Sequence, residues 1–239
     1  MSSEPSNNSP TIVAIETSTE LASVAVLHRG QLLSRESSGA QTHSASVLPM
    51  LQALLKDAGI ALADCDALAY GCGPGSFTGV RTACGLVQGL AFGAARKAVP
   101  VVTLLAMAEA ARAVGAGDDI VAVLDARMGE VYSARYRHGL DGWQLVSEPV
   151  LSKAADVVAD GASAVCGNGL LAYPEAFAQI GNAARFADIV PHASSVALLA
   201  VAALARGQWQ EPRDAQPLYL RNKVALTTSE RIAAAGASA

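Results

Sequence analysis

Three glycines and a proline crowd the stretch Gly73-Pro74-Gly75-Ser76-Phe77-Thr78-Gly79-Val80-Arg81. Such a loop can bring bare backbone N–H groups up to a phosphate at a helix start. Ala67 to Cys72 before it reads as a short buried strand, and Thr78 to Ala95 after it carries apolar residues at helical spacing. The local order is therefore strand, tight turn, helix start. Each familiar version of the motif fails at a particular residue. A Walker A loop needs Lys then Ser or Thr after its last glycine, where Val80 and Arg81 stand. A dinucleotide fingerprint starting at Gly73 needs glycine or alanine at Thr78, and a nucleophile elbow around Ser76 needs glycine at Pro74. Ser76 is read as a cap or turn residue, not a nucleophile.

The remaining reactive residues narrow the chemistry further. Cys65, Cys72, Cys84 and Cys166 show no CxxC spacing, which argues against a zinc site or redox pair and fits buried thiols in a reducing cytosol. The formal net charge is −4, and no Lys/Arg cluster is denser than Arg96-Lys97. Tight independent binding to nucleic acid is not expected, because phosphate neutralisation supplies most of that affinity. With four Phe, five Tyr and two Trp, a base-stacking platform is equally unsupported. Met1 to Pro10 is Ser, Asn and Pro with one acid and reads as a frayed tail. No apolar run reaches the roughly 18 residues of a membrane span without interruption, so a soluble protein is expected.

The elements that must position these residues follow from periodicity. Thr11 to Ile15 is a β-branched run that predicts a buried strand, ended by the polar turn Glu16-Thr17-Ser18-Thr19. Ala22 to His28 and Gln31 to Ser37 flank Arg29-Gly30 as a hairpin. A helix starting at Thr42 or Ser44 carries the stripe Val47, Leu48, Leu51, Leu54 and Leu55 and stops near Gly59. Val99 to Leu104 predicts a strand and Leu105 to Val114 a helix. The segment Gly115 to Asp119 is the best candidate boundary. A second set then opens with Ile120 to Leu124, Glu130 to Arg137 and Trp143 to Leu151 as strands. Short fragments follow from Ala154 to Val190, and Ser194 to Arg206 forms an apolar helix. Two units that each begin with three strands imply a structural duplication in a mixed α/β protein of two lobes. The expected limits are 11–115, with 194–222 packing back on it, and 119–193, with flexible tails at 1–10 and 225–239.

With Ile15-Glu16-Thr17-Ser18 after the first strand and Gly73 to Arg81 after the fourth, the chain resembles the TsaB (YeaZ) family. Members are dimerisation subunits of the bacterial tRNA threonylcarbamoyladenosine machinery. His43-Ser44, the run Leu124 to Tyr132, Gly167-Asn168-Gly169 and Pro217 to Arg221 agree in order, over nearly the whole chain. The resemblance implies the two-lobed actin, Hsp70 and sugar-kinase fold. The catalytic relative TsaD holds a metal through a His-x-x-x-His pair on the first helix, whereas here Val47 stands four residues after His43. One imidazole is left where two are needed, so no metal and no cofactor are expected. Kinases of this fold grip phosphates with a glycine-bearing turn after each lobe's first strand. Here the first turn has no glycine, and Asp125-Ala126-Arg127-Met128-Gly129 puts side chains where a phosphate must approach. Glu16 and Asp125 are read as turn caps and Arg127 as a partner of one of them. A weak nucleotide contact through Glu16, Thr17, Ser18 and Arg127 stays open beside that reading.

Gly85, Gly89 and Gly93 recur every fourth residue of the second helix, each at a cost of about 1 kcal/mol in helix propensity. Close packing on the lobe's own sheet and contact with another subunit account for them equally well. The resemblance implies dimer contacts through the first two helices and favours an interface of His43, Val47, Leu51, Leu54, Gly75, Phe77, Thr78, Arg81, Gly85, Gly89 and Gly93. The expected function is that of a non-catalytic cytoplasmic subunit. It docks on TsaD, joins TsaE in the larger complex, meets tRNA only indirectly and pairs with itself when isolated. A stand-alone sugar-kinase-like phosphotransferase or a metallopeptidase is the alternative.

Overall fold

Side-chain direction alternates along β1 (Ile12–Glu16): Val13 and Ile15 enter one core, Ile12 and Ala14 another. A strand with both faces apolar can be buried only in the middle of a sheet covered on both sides. The computed structural model describes residues 9–38, 43–178 and 180–221. Most of the two expected tails lies outside these residues, as does Thr42. The first sheet has the order β3-β2-β1-β4-β5, with β2 Leu21–His28, β3 Gln31–Ser38, β4 Ala67–Gly73 and β5 Lys97–Val102. β2 and β3 meet through Arg29 and Gly30, both at positive φ, the two-residue turn that matches the twist of a hairpin. β4 runs parallel to both β1 and β5.

Helices α1 (His43–Ala58) and α2 (Phe77–Gly93) cover one face of this sheet and α5 (Ala193–Ala205) the other. α1 stops at Gly59, whose φ of 67° lets the Gly59 and Ile60 N–H groups reach back to the Lys56 and Leu55 carbonyls. The second sheet comprises β6 (Asp119–Asp125), β7 (Glu130–Gly139), β8 (Gly142–Lys153), β9 (Ala164–Cys166) and β10 (Ala184–Phe186) in the order β8-β7-β6-β9-β10. It repeats the first: an antiparallel three-strand meander, then two parallel additions. The expected duplication is therefore realised in connectivity, where sequence similarity between the halves is too weak to display it.

Helix α3 (Thr103–Ala113) starts two residues before the expected position, and β5 ends correspondingly early. Thr103 is the reason. Its buried hydroxyl accepts from the Gly73 N–H at 3.1 Å and lies 3.4 Å from the Glu16 carboxylate, which takes it out of the strand ladder. The apolar side of α3, Leu104, Met107, Ala108 and Ala111, packs on the second sheet, while its other side touches α5. The short helix α4 (Gly169–Ala172) covers the opposite face of the second sheet. All four cysteines are buried free thiols, and burial pushes Cys72 and Cys166 up to about 12.

Candidate functional site

The glycine loop is built against the chain's own first turn. A Cβ on Gly79 would stand 1.9 Å from the Thr17 carbonyl oxygen, and one on Gly75 would stand 2.6 Å from Ser18 Cβ. The Ser76 N–H donates to the Ser18 carbonyl at 2.7 Å, and the Thr17 hydroxyl donates to the Gly79 carbonyl at 2.7 Å. Two backbones thus lie in contact where a phosphate cradle would need open space. This contact accounts for glycine at position 75, which stays half-exposed. Ser76 holds the N-cap position of α2, but its side chain makes no capping bond.

Glu16 sits beneath this contact, fully buried. Its carboxylate accepts from the Ser18 N–H at 2.5 Å, and a Cβ on Gly71 would collide with it. Burial pushes its carboxyl above the usual carboxylate range, opposed by hydrogen bonds from Ser18, Thr103 and Thr17. Glu16 and Thr17 therefore face inward and do not reach a nucleotide in the cleft, which corrects that part of the expected contact. Ser18 does line the cleft.

The second lobe repeats the device. Asp125 Oδ1 accepts from the Arg127 N–H at 2.8 Å and from the Tyr173 hydroxyl at 2.8 Å, and Asn168 Oδ1 accepts from the Asp125 N–H. Gly167, in the place that Gly73 holds in the first lobe, lies against the Val123 carbonyl. Asp125 and Glu16 cap their turns as the residues suggest. Arg127, at positive φ, bridges to Glu20 at 3.1 Å and Asp125 at 3.5 Å, with its side chain 75% exposed. It lines an interlobe cleft of about 1210 Å³ with Ser18, Gly75, Phe77, Asn168 and Tyr219. The segment Pro217–Arg221 crosses between the lobes: the Leu218 N–H donates to the Cys72 carbonyl, and Arg221 pairs with Glu130 of β7 at 2.7 Å. Its Tyr219 was not singled out from the sequence. Tyr219 accepts from Arg81 Nε at 2.6 Å and packs beside Phe77, over whose ring the Arg81 guanidinium lies at 3.7 Å. The late aromatic in a Leu-Tyr-Leu-Arg run was the only available signal.

The face left free belongs to the two helices on the outer side of the first sheet. Val47, Leu51 and Leu54 do not contribute to it; they are buried in the lobe's own core, because their stripe is the one that holds α1 on the sheet. The outward side of α1 is Ala45, Leu48, Pro49 and Gln52, all exposed. His43 opens α1, and its side chain lies outside the described residues. Beside α1, the ridge Gly85, Gly89 and Gly93 of α2 is exposed, and a Cβ built on any of the three meets nothing within 4 Å. Phe92, 79% exposed, stands next to that ridge, and Thr78 and Arg81 are exposed near its start. Among the described residues nothing packs on these glycines, against the internal-packing explanation. Among the described residues no group of three His, Cys, Asp or Glu side chains is placed to hold a metal ion.

A fold of two lobes with repeated mixed sheets, closed by turns after β1 and β6, defines a class to which comparison assigns a family. The family model described as TsaD, tRNA N6-adenosine threonylcarbamoyltransferase, matches residues 37–227. The tRNA threonylcarbamoyladenosine biosynthesis protein TsaB of Escherichia coli is 37% identical over 221 residues, covering 90% of this chain and 96% of the relative. The protein of the same name from Haemophilus influenzae is 35% identical over 225 residues, covering 90% and 94%. The solved structure of YeaZ from Pseudomonas aeruginosa superposes with a TM-score of 0.82 at 38% identity, covering 88% of this chain and 100% of that one. The chain belongs to this TsaD-type family and, within it, to the TsaB (YeaZ) members.

Proposed function

We propose that this protein serves tRNA threonylcarbamoyladenosine biosynthesis as a non-catalytic subunit that docks on the catalytic TsaD subunit through the outer faces of α1 and α2. The names of its relatives support the pathway. The observation that carries the docking role is the open glycine ridge. Gly85, Gly89 and Gly93 give up about 3 kcal/mol of helix propensity and receive no packing in return among the described residues. A ridge without side chains lets a partner helix approach closely, and exposed Leu48 and Phe92 flank it with apolar surface. TsaE joins the larger assembly, tRNA is met only through it, and the isolated chain pairs with a second copy through the same face. All of this takes place in the cytosol.

Chemistry is left to the partner. The carboxylates after β1 and β6 are occupied by their own turns, and the first glycine loop is filled by Thr17 and Ser18. Arg127 at the cleft supplies at most a weak nucleotide contact. The decisive experiment mixes TsaD with the Gly89→Leu variant on a size-exclusion column. Loss of the complex with an unchanged circular dichroism spectrum is expected, since the new side chain enters open space; an intact complex would overturn the docking face. Tight ATP binding by the lone chain in calorimetry would instead favour a sugar-kinase-like phosphotransferase.

A further inference from the structure

A second cavity, of about 650 Å³, lies between α3, α5 and the β7–β8 hairpin, and shares Leu218 and Leu220 as a wall with the interlobe cleft. Its size is that of a small-molecule site. One side is α5, a strongly apolar helix: Leu198 and Ala202 are exposed toward the groove, while Leu199 and Ala203 line it from the edge of the first sheet's core. The other side is aromatic. Tyr136 meets Trp143 edge to face at 6.5 Å, and His138 meets Trp143 at 5.1 Å.

Two carboxylates face this apolar groove. Glu109 of α3 accepts from the Trp143 indole N–H at 2.6 Å, and Glu148 stands on β8. Among the described residues neither is paired with a cation; Arg206, the one guanidinium in the lining, donates to the Asp141 backbone carbonyl. A separate observation points to the same place. Tyr136 lines the groove and is only 4% exposed, and among the described residues its buried hydroxyl has no hydrogen-bond partner. Buried hydroxyls are nearly always paired, so an orphan beside a cavity marks a polar atom that is missing.

We propose that this groove binds a small organic cation: an apolar or aromatic body against α5 and Trp143, and a protonated amine facing Glu109 and Glu148 and within reach of the Tyr136 hydroxyl. An anion of the same shape is disfavoured, because two carboxylates outweigh one guanidinium that is already engaged. Aromatic faces add attraction for an ammonium group. The inference is independent of the docking face, which lies on the other side of the first sheet.

The test uses the full chain and three probes of one shape: phenethylamine, protonated at neutral pH, 2-phenylethanol and phenylacetate. The two tryptophans give two indole N–H signals in a nitrogen-15 spectrum, with Trp143 in the groove and Trp209 beneath Lys97 as the internal reference. Phenethylamine is expected to move the Trp143 signal saturably in the submillimolar to millimolar range and to bind about tenfold more tightly than phenylacetate. Glu109→Gln, which still accepts from Trp143, and Glu148→Gln should each weaken binding about threefold or more. Ala202→Phe fills the groove from an exposed helix position and should abolish binding in a chain that melts normally. The proposal is overturned if the Trp143 signal does not saturate, if phenylacetate binds equally well, or if the Glu109→Gln/Glu148→Gln double variant binds unchanged.

Discussion

Gly79 and Gly89 sit on one helix and carry glycine for opposite reasons. At Gly79 a methyl group would penetrate the Thr17 carbonyl, so Gly79→Ala should cost more than about 2 kcal/mol and lower the melting temperature by several degrees. At Gly89 the methyl group enters open space, so Gly89→Ala should raise stability by about 1 kcal/mol through helix propensity alone. Chemical denaturation of the two variants side by side checks both; equal effects would show that the ridge and the turn contact are misassigned. Glu16 adds a pH signature. Burial holds its carboxyl above the usual range, so in the interval above the unfolded value the native chain keeps a proton that the unfolded chain releases. Native stability therefore falls as pH rises through that interval. Glu16→Gln should remove this slope and gain on the parent as pH rises above about 4.5, as measured by urea midpoints across pH.

At the scale of elements, the strap after α5 ties the lobes together. Tyr70, in the middle of β4, exchanges hydrogen bonds with Gln216: its hydroxyl donates to the Gln216 carbonyl at 3.2 Å and lies 3.1 Å from the Gln216 N–H. Tyr70→Phe strands both backbone groups at a half-buried position and should cost about 1–3 kcal/mol. Faster amide exchange across residues 216–221 should accompany it; unchanged exchange there would separate the strap from β4. Helix α1 shows how an element is shared between core and surface. Its Val47, Leu51 and Leu54 hold it to the sheet, which leaves Leu48 and Pro49 outward beside the glycine ridge. Both helices lie on the same side of the first sheet, so their outward faces form one surface.

At the scale of the molecule, the proposed function has one surface serve a partner and, in isolation, a second copy of the chain. Analytical ultracentrifugation of the isolated protein should give a dimer that Gly89→Leu converts to monomer; a variant that stays dimeric would place self-association elsewhere. Much of the architecture was legible in the sequence. β-branched runs marked β1 and β6, Arg29-Gly30 marked the hairpin and Gly59 the end of α1, because these are local rules of backbone conformation and period. Six motifs in order also carried the family resemblance. The tertiary structure alone decided which way each residue faces. One apolar stripe on α1 and three spaced glycines on α2 look equally suited to a core or to a partner, since period fixes a face but not what covers it. Packing sent Val47, Leu51 and Leu54 inward and left Gly85, Gly89 and Gly93 open. The body that approaches the glycine loop, Thr17 and Ser18, is distant along the chain, and only the pairing of β1 with β4 brings it there.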